Sequence, residues 1–446
     1  MAIRPRQALY ALLRVLAEQR QVEDIDGDEK STFEALGIST LNARSAILAT
    51  ILLLGIREDR DVSDLNESFI TDLIADGPSL GEVSEELAKA METRSRPLPA
   101  AGQTAPRRVA APPSLAAAPP PPAHVLKAVL YATDRKPVSN ARLGLMFSGE
   151  RANTLHYGEC QVSIPRDRKI GGLPQPLLPL QLIASKRRHF LVDSLTPWSR
   201  QDFSMRVRDA LQSRNSRDLF VFVHGFRTTF KSAVLRTAQL GADLELAGSP
   251  ILYSWAARGG IDDYLHDGES VRDSADRFQA FLSDLANESG AEQINILAHS
   301  MGGQAVCGAL KQLGSRGLAA SQTRIGYVVL AAPDVDASTY RNAAAAMTQV
   351  STGMTLYSSP RDRALTVSRK FNKSPRVGEQ LIVLPGVDTI DASAVGTDFL
   401  FGHSYFSSAR LLLQDVKGVF AGQAASVRYG LERLTSAEGP YFRVKP

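Results

Sequence analysis

The sequence predicts an α/β protein in which a mostly parallel sheet of about eight strands carries helices on both faces, preceded by a small all-α bundle. Three observations predict this arrangement. After residue 124, short apolar runs alternate with helical stretches. Before residue 95, apolar residues recur at helical spacing. A Pro- and Ala-rich stretch separates the two patterns.

Residues 1–95 are predicted to form an acidic bundle of about four helices. Ser79 and Glu82 match a capping box at the start of its last helix. The region carries 10 basic and 18 acidic side chains, whereas the whole chain has a net charge of +4, so the remainder is basic. The two parts could therefore attract each other. The helical spacing rests on Leu9, Leu12, Leu13 and Leu16, on Ile47, Ile51 and Leu54, and on Val83, Leu87 and Met91.

Residues 96–123 are predicted to be a linker, because they are rich in Pro and Ala and end in PPSLAAAPPPPAH.

The composition of the whole chain argues against several classes of function and location. A net charge of +4 gives no electrostatic argument for nucleic acid as a partner. The chain has two cysteines, no secretory signal pattern at its start and no apolar run that could span a bilayer. The missing apolar run predicts a soluble protein, and the low cysteine count together with the missing secretory signal predicts a cytoplasmic one.

Residues 124–446 are predicted to form the catalytic domain. Their apolar runs are short and are separated by helical stretches, which is typical of a parallel sheet with crossover helices. The predicted strands are Ala128–Ala132, Gln161–Ile164, Leu219–Val223, Ile251–Ser254, Ile294–Ala298, Tyr327–Ala331, Thr355–Tyr357 and Leu381–Leu384.

A nucleophile elbow is predicted at Ser300. The buried run Ile294–Ala298 leads into this serine and then into an apolar helical stretch, which is the order of strand, turn and helix that an elbow requires. The turn is strained and crowded, so its neighbours must be small. Gly302 and Gly303 meet this need on the helix side, and Ala298 stands where a first glycine is usual. The alternative is an ordinary turn with a capping serine.

His403 is the expected base. Of the seven histidines, it alone follows Ser300 in the chain. A triad built on an elbow has the order serine, acid, histidine. The imidazole would take the Ser300 proton and later deliver one to the leaving group. The alternative is a surface or packing histidine.

The acid of the triad has two candidates. Asp362 follows the seventh predicted strand, which is the common location, and Asp334 follows the sixth. We expect Asp362 to orient His403 while Asp334 caps a helix, with the opposite assignment as the alternative.

Two backbone N–H groups are expected to stabilise a tetrahedral oxyanion. Met301, directly after the nucleophile, provides one. The second is expected from Phe226 or Arg227, in the loop after the run Leu219–Val223, where His224 would brace the loop. Arg258, after the next run, is a candidate substrate contact.

Short motifs follow one another in order through most of the chain. They are Tyr131–Arg135, Tyr157-Gly158, Val162–Pro165, Phe222–Phe226, Ser254-Trp255, Asp267, Glu269-Ser270, Ala298–Gly302, Ala332–Asp336, Asp362–Leu365 and Gly402–Tyr405. On these residues, the segment from about 125 to 410 resembles the bacterial α/β-hydrolase family of unknown function that is described as esterase- or lipase-like. The resemblance implies the α/β-hydrolase fold and its triad, but it does not define a substrate.

The first region resembles acyl carrier proteins. The stretches Phe33–Ile38, Gly55-Ile56 and Ser79–Val83 stand in the carrier order. Where carriers have Asp-Ser-Leu, this chain has Ser39-Thr40-Leu41, so the serine that would bear phosphopantetheine is absent. The region is therefore expected to dock a protein partner, or to be an unrelated acidic bundle, rather than to carry a prosthetic group.

The sequence thus predicts a serine hydrolase that cleaves a carboxylic ester, a thioester or a lipid acyl bond through an acyl-enzyme on Ser300. An acyltransferase with the same triad is the alternative enzyme. A recruitment or scaffold protein, whose helical domain binds a partner, is the alternative without catalysis. No cofactor and no metal are expected, because the chain has no phosphate-binding glycine loop and no ligand spacing among its histidines.

Overall fold

The protein is represented by a computed structural model. It describes residues 12, 47, 60–61, 73, 78–93, 96–97, 122–140, 143–173, 185–212, 217–258, 263–316, 323–362, 365, 368–369, 372–394 and 406–445. The chain divides into two compact units. The smaller comprises Met1–Pro122 with Gln175–Ser185, and the larger comprises Ala123–Pro174 with Lys186–Pro446.

In the smaller unit, strand β1 (Arg60–Asp61) pairs antiparallel with β2 (Arg96–Pro97), and helix α1 spans Leu80–Thr93. The predicted capping box is confirmed. The Ser79 N–H donates to Glu82 Oε2 at 2.8 Å, and the Glu82 N–H donates to Ser79 Oγ at 3.3 Å.

One face of α1 is wholly buried, at Leu80, Val83 and Leu87. This is the helical spacing of the sequence, and it shows that the helix packs by one apolar stripe. Most of the predicted bundle in 1–95 and most of the predicted linker in 96–123 lie outside the described residues.

The larger unit is built on an eleven-stranded sheet with the order β12-β13-β11-β10-β9-β8-β6-β7-β3-β4-β5. The pairs β3·β4, β4·β5 and β12·β13 are antiparallel, whereas the other neighbours are parallel. The strands are β3 (His124–Asn140), β4 (Gly144–Pro165), β5 (Leu191–Trp198), β6 (Asp218–Val223), β7 (Ile251–Ser254), β8 (Gln293–His299), β9 (Arg324–Ala331), β10 (Ser351–Ser358), β11 (Val387–Asp391), β12 (Leu431–Ser436) and β13 (Gly439–Val444).

Helices cover both faces of this sheet. Successive strand residues point to opposite faces, so Val221 and Val223 enter one apolar core while Phe220 and Phe222 enter the other. Helices α2 (Arg200–Gln212), α4 (Tyr264–Glu288), α5 (Gly302–Arg316) and α6 (Ala337–Val350) contribute to the first core, and α3 (Phe230–Asp243) and α7 (Phe406–Phe420) to the second. The predicted α/β-hydrolase fold is confirmed.

One predicted strand is wrong. Leu381–Leu384 carries no strand pairing, and the sheet position belongs instead to Val387–Asp391. The apolar run ends at Pro385, and within it Ile382 is buried. The Ile382 carbonyl accepts a hydrogen bond from Thr389 Oγ1 at 2.6 Å. Strand β5 and the hairpin of β12 and β13, which were not predicted, extend the sheet at its edges.

The carboxyl ends of β6, β8, β9 and β10 meet at one edge of the sheet, because these strands run parallel. The loops that follow them carry the residues singled out in the sequence, so this edge positions the candidate site. Among the described residues, no helix combines the length and the apolar character needed to cross a bilayer.

Candidate active site

Ser300 occupies a sharp turn between β8 and α5. Its φ of 49° lies in the left-handed region, which is costly for a serine and marks a strained turn. The Ser300 N–H donates to the Ala331 carbonyl at 3.0 Å, and the Ser300 carbonyl accepts from Gly303 and Asp334 at 3.0 Å each. The side chain is half-buried. The predicted order of strand, strained turn and helix is therefore present at this residue.

Two glycines allow the loop after β6 to approach this turn. A Cβ at Gly302 would lie 2.3 Å from the His224 carbonyl oxygen. A Cβ at Gly225 would lie 2.6 Å from His299 Nδ1 and 3.0 Å from Ser300 Cβ. Since real side chains do not tolerate such distances, glycine is required at both positions to bring the loop beside Ser300. Ala298, by contrast, is fully buried in β8 without loss of strand pairing.

Two of the expected oxyanion donors are N–H groups without an acceptor. Within the part of the chain that the structure describes, neither the Met301 N–H nor the Phe226 N–H donates a hydrogen bond. Arg227 is exposed and has a φ of 55°, so the loop turns sharply directly after Phe226. Unpaired N–H groups beside a strained serine are what an oxyanion site requires before substrate binds.

Two buried histidines adjoin the turn, and neither is suited to serve as a base. Burial, aided by Arg135, lowers the pKa of His224 to about 3, and the ring stacks on Trp255. Burial also holds the pKa of His299 well below its usual range. A ring that resists protonation this strongly is a poor proton acceptor near neutral pH. His224 instead braces the loop, as the sequence analysis expected.

Asp362 lies in the turn that follows β10. It is buried, its N–H donates to the Ser359 carbonyl at 3.0 Å, and its Oδ1 accepts from the Leu365 N–H at 3.0 Å. The backbone thus fixes this carboxylate at the same edge of the sheet as Ser300.

Asp334 is bound on both of its carboxylate oxygens. Arg376 Nε and Ser368 Oγ each donate to Oδ1 at 2.6 Å, and Tyr264 Oη donates to Oδ2 at 2.8 Å. Its N–H holds the Ser300 carbonyl at 3.0 Å. We call Arg376, Asp334, Ser368 and Tyr264 the Arg376 cluster. Its geometry anchors the chain after β9 to the elbow.

The predicted base, His403, lies outside the described residues, whereas the predicted substrate contact is described. Arg258 is exposed, and its Nε and Nη2 donate to the two carboxylate oxygens of Glu150 at 2.9 and 3.3 Å. Its backbone N–H donates to Asp267 Oδ1 at 3.0 Å. The side chain of Arg258 is thus held at the surface by an acidic partner.

Arg135, for which the sequence predicted no role, lies behind the loop after β6. Its side chain is completely buried and lies 3.2 Å from His224 Nε2. The signal was present, because Asp134 and Arg135 interrupt an otherwise apolar run in β3. Charged residues in a buried strand are rare unless they have a partner.

The arrangement places a serine on a strained turn, two N–H groups beside it and a fixed carboxylate at the same edge of the sheet. Within the described residues, no group of three or more His, Cys, Asp or Glu side chains could hold a metal ion.

The family described as alpha/beta hydrolase of unknown function (DUF900) matches residues 199–419. The matched range includes Ser300, Asp334, Asp362 and His403, and the family resemblance seen in the sequence is confirmed. No curated protein matches the chain.

Proposed function

Residues 199–419 belong to this α/β-hydrolase family, and we propose that the protein is a serine hydrolase that cleaves a carboxylic ester, a thioester or a lipid acyl bond through an acyl-enzyme on Ser300. The observation that carries the proposal is the turn itself. Ser300 has left-handed backbone geometry at the carboxyl end of β8, beside two N–H groups that have no acceptor among the described residues.

In the proposed acylation step, Ser300 Oγ attacks the acyl carbon of the substrate. Its proton passes to His403, and the electron pair of the C=O bond moves to the carbonyl oxygen. The N–H groups of Met301 and Phe226 stabilise this oxyanion. Each such donor is worth about 10²- to 10³-fold in kcat in enzymes of this kind. Collapse of the intermediate expels the alcohol or thiol, which takes the proton from His403.

In the proposed deacylation step, His403 removes a proton from water, and the hydroxide attacks the acyl-enzyme. The carboxylic acid leaves, and Ser300 recovers its proton from the imidazolium. His403 is the proposed base because the buried histidines at the elbow, His224 and His299, have depressed pKa values. Asp362 is the proposed orienting acid, because the Arg376 cluster already occupies both oxygens of Asp334.

The test compares Ser300→Ala with Ser315→Ala, a control at an exposed serine in the last turn of α5, the helix that follows Ser300. The wild type and the control should react with a fluorophosphonate probe and hydrolyse p-nitrophenyl esters, whereas Ser300→Ala should do neither. Labelling that persists in Ser300→Ala would contradict the proposal. A series of acyl chain lengths would then begin to define the substrate.

The same assay separates hydrolysis from acyl transfer, the alternative reaction for this triad. Adding a primary alcohol at a fixed ester concentration should leave the yield of free acid unchanged if water is the acceptor. Formation of a new ester at the expense of the acid would favour a transferase. Residues 1–95 are the proposed docking region for a protein partner in either case.

A further inference from the structure

Arg135 is a completely buried arginine whose guanidinium donates to several segments, including the loops that follow β6 and β7. Four of its acceptors are oxygens of other segments: Ser254 Oγ at 2.8 Å and the carbonyls of Ala257 at 2.8 Å, Thr228 at 2.6 Å and Ser148 at 3.2 Å. The guanidinium therefore ties β3 to the ends of β6 and β7 and to the β4 strand. We call Arg135, His224 and Ser254 the Arg135 cluster.

The contacts in this cluster determine which nitrogen of His224 carries the proton. Arg135 Nε donates to Ser254 Oγ, so the Ser254 hydroxyl hydrogen is available to His224 Nε2 at 3.1 Å. Arg135 Nη2 also faces Nε2, at 3.2 Å. The Trp255 carbonyl lies 3.1 Å from Nε2 as well, but two donors outweigh this one acceptor. Nε2 is therefore the acceptor, and the neutral ring carries its hydrogen on Nδ1.

With the hydrogen on Nδ1, His224 donates to the Gly225 carbonyl at 2.8 Å. The Gly225–Phe226 peptide is trans, so its N–H points to the side opposite its carbonyl. The Phe226 N–H is thereby directed away from the His224 ring. Gly225 itself lies against Ser300, because a Cβ there would be 3.0 Å from Ser300 Cβ.

The other end of the loop is held in the same way. The Thr228 carbonyl accepts from Arg135 Nη2, and Thr228 Oγ1 donates to the Phe226 carbonyl at 3.1 Å. Both peptide groups that flank Phe226 are therefore fixed by hydrogen bonds. Rotation of either one would break one of these hydrogen bonds and leave a polar group without its partner, which is unfavourable inside a protein.

We infer that Arg135 is a positioning residue that, through His224 and Thr228, holds the Phe226 N–H in the orientation needed to stabilise the oxyanion. This inference rests on the proposed function. Arg135 is completely buried and acts through other residues, so it is a positioning residue and not a catalytic one. Its charge is retained near neutral pH, because burial lowers its pKa only to about 10 while the nearby carboxylates of Asp134 and Asp267 raise it.

The first experiment compares Arg135→Lys with Arg168→Lys, a control in which the arginine is mostly buried and pairs with Asp243. Lysine keeps the charge at position 135 but cannot reach the acceptors that the planar guanidinium reaches. For a p-nitrophenyl ester, we expect kcat of Arg135→Lys to fall about 10- to 100-fold, with KM changed by less than about 3-fold. The control should match the wild type.

The second experiment uses His224, so that the inference stays testable if Arg135→Lys does not fold. The amide nitrogen of His224→Asn can replace the Nδ1 donor, whereas that of His224→Gln replaces Nε2. His224→Asn should therefore retain about 10-fold more kcat than His224→Gln. In the wild type, ¹⁵N-histidine NMR should show His224 with its hydrogen on Nδ1.

The outcomes separate the inference from the proposed function. An active wild type whose kcat is the same in Arg135→Lys and the control would overturn the role of Arg135, as would a hydrogen on Nε2 of His224. Equal kcat for His224→Asn and His224→Gln would do the same. A wild type that neither reacts with the fluorophosphonate nor turns over esters would overturn the proposed function and the oxyanion role together.

Discussion

The Arg376 cluster and the Arg135 cluster are both buried next to the elbow, but they use a guanidinium differently. Arg376 forms a direct ion pair with Asp334, with Nε and Oδ1 2.6 Å apart. Arg135 has no carboxylate within 4.0 Å among the described residues and donates largely to backbone carbonyls. One arginine therefore occupies a carboxylate next to the elbow, whereas the other holds backbone carbonyls of the neighbouring loops.

This difference has energetic consequences. Removing one partner of a buried ion pair leaves an uncompensated charge and destabilises a protein by about 3–5 kcal/mol. Within the described part of the chain, Arg135 has no carboxylate partner, so replacing it with lysine leaves no uncompensated charge, but it takes donors from carbonyls and frees peptide groups that the proposed reaction needs in one orientation. Damage to the Arg376 cluster should therefore appear first in stability, and damage to the Arg135 cluster first in kcat.

The largest expected effect tests the assignment of the two aspartates. Asp362→Asn should lower kcat about 10⁴-fold, because an amide cannot stabilise the imidazolium and favours the wrong histidine tautomer. Asp334→Asn should lower kcat far less, since its oxygens already serve Arg376, Ser368 and Tyr264. Ester hydrolysis by both variants, at a temperature where both are folded, measures the difference.

The control is Asp388→Asn, on β11, where the exposed carboxylate accepts from Arg428 at 3.0 Å. It should retain wild-type kcat. If Asp334→Asn lost activity as severely as Asp362→Asn is expected to, while Asp362→Asn remained active, Asp334 would be the acid and the Arg376 cluster would have to rearrange during catalysis.

The next effect is on stability. Arg376→Met should lower the free energy of unfolding by about 3–5 kcal/mol, because it leaves the Asp334 carboxylate buried without its charged partner. Urea unfolding followed by tryptophan fluorescence is the measurement, since both tryptophans, Trp198 and Trp255, belong to the larger unit. Arg217→Met removes an exposed pair with Glu292 and should change the free energy of unfolding by less than about 1 kcal/mol. Equal losses in the two variants would contradict the distinction.

Some features around the two clusters could be predicted from the sequence, whereas the contacts within the clusters could not. Parallel strands buried on both faces give continuous apolar runs, so Ile294–Ala298 and its neighbours could be recognised from composition. The elbow at Ser300 could be recognised because a crowded turn restricts its neighbours to small residues. These are local constraints, and they leave local signals.

The charged pair Asp134 and Arg135 in an apolar run signals a buried charge, but it does not show which groups Arg135 contacts. Its acceptors belong to segments that are between 13 and 122 residues away along the chain. Only the folded sheet brings them together, so no spacing in the sequence could show that this side chain holds the loop. The hairpin of β12 and β13 was missed for a different reason, because at the sheet edge most of its residues remain partly or fully exposed and give no apolar run.

A smaller effect should appear in the pH dependence of stability. Burial first and then Arg135 lower the pKa of His224 to about 3, compared with 6.5 for an unperturbed imidazole. Between these values, the unfolded chain binds a proton that the folded protein does not. The contribution of His224 to stability is therefore complete above about pH 6.5 and is lost as the pH falls toward 3.

Urea unfolding at pH 7 and pH 5 measures this contribution. The wild type should lose about 1–2 kcal/mol more than His224→Gln over this interval, because glutamine does not titrate. His299 also has a depressed pKa, so the variant should keep part of the dependence. If the two proteins lost the same amount, His224 would not be held neutral by the Arg135 cluster.

The smallest expected effect concerns an arginine that belongs to neither cluster. Arg258 and Glu150 form an ion pair in which the two side chains are 39% and 53% exposed. Water and salt screen such a pair, so Arg258→Gln should change the free energy of unfolding by less than about 1 kcal/mol. If Arg258 also contacts substrate, as the sequence suggested, the variant should raise KM for an anionic ester more than for a neutral one of the same size, with kcat unchanged. Equal KM changes for the two esters would exclude a charge-specific contact. A loss in the free energy of unfolding as large as that of Arg376→Met would show that an exposed arginine and a buried one contribute equally to stability.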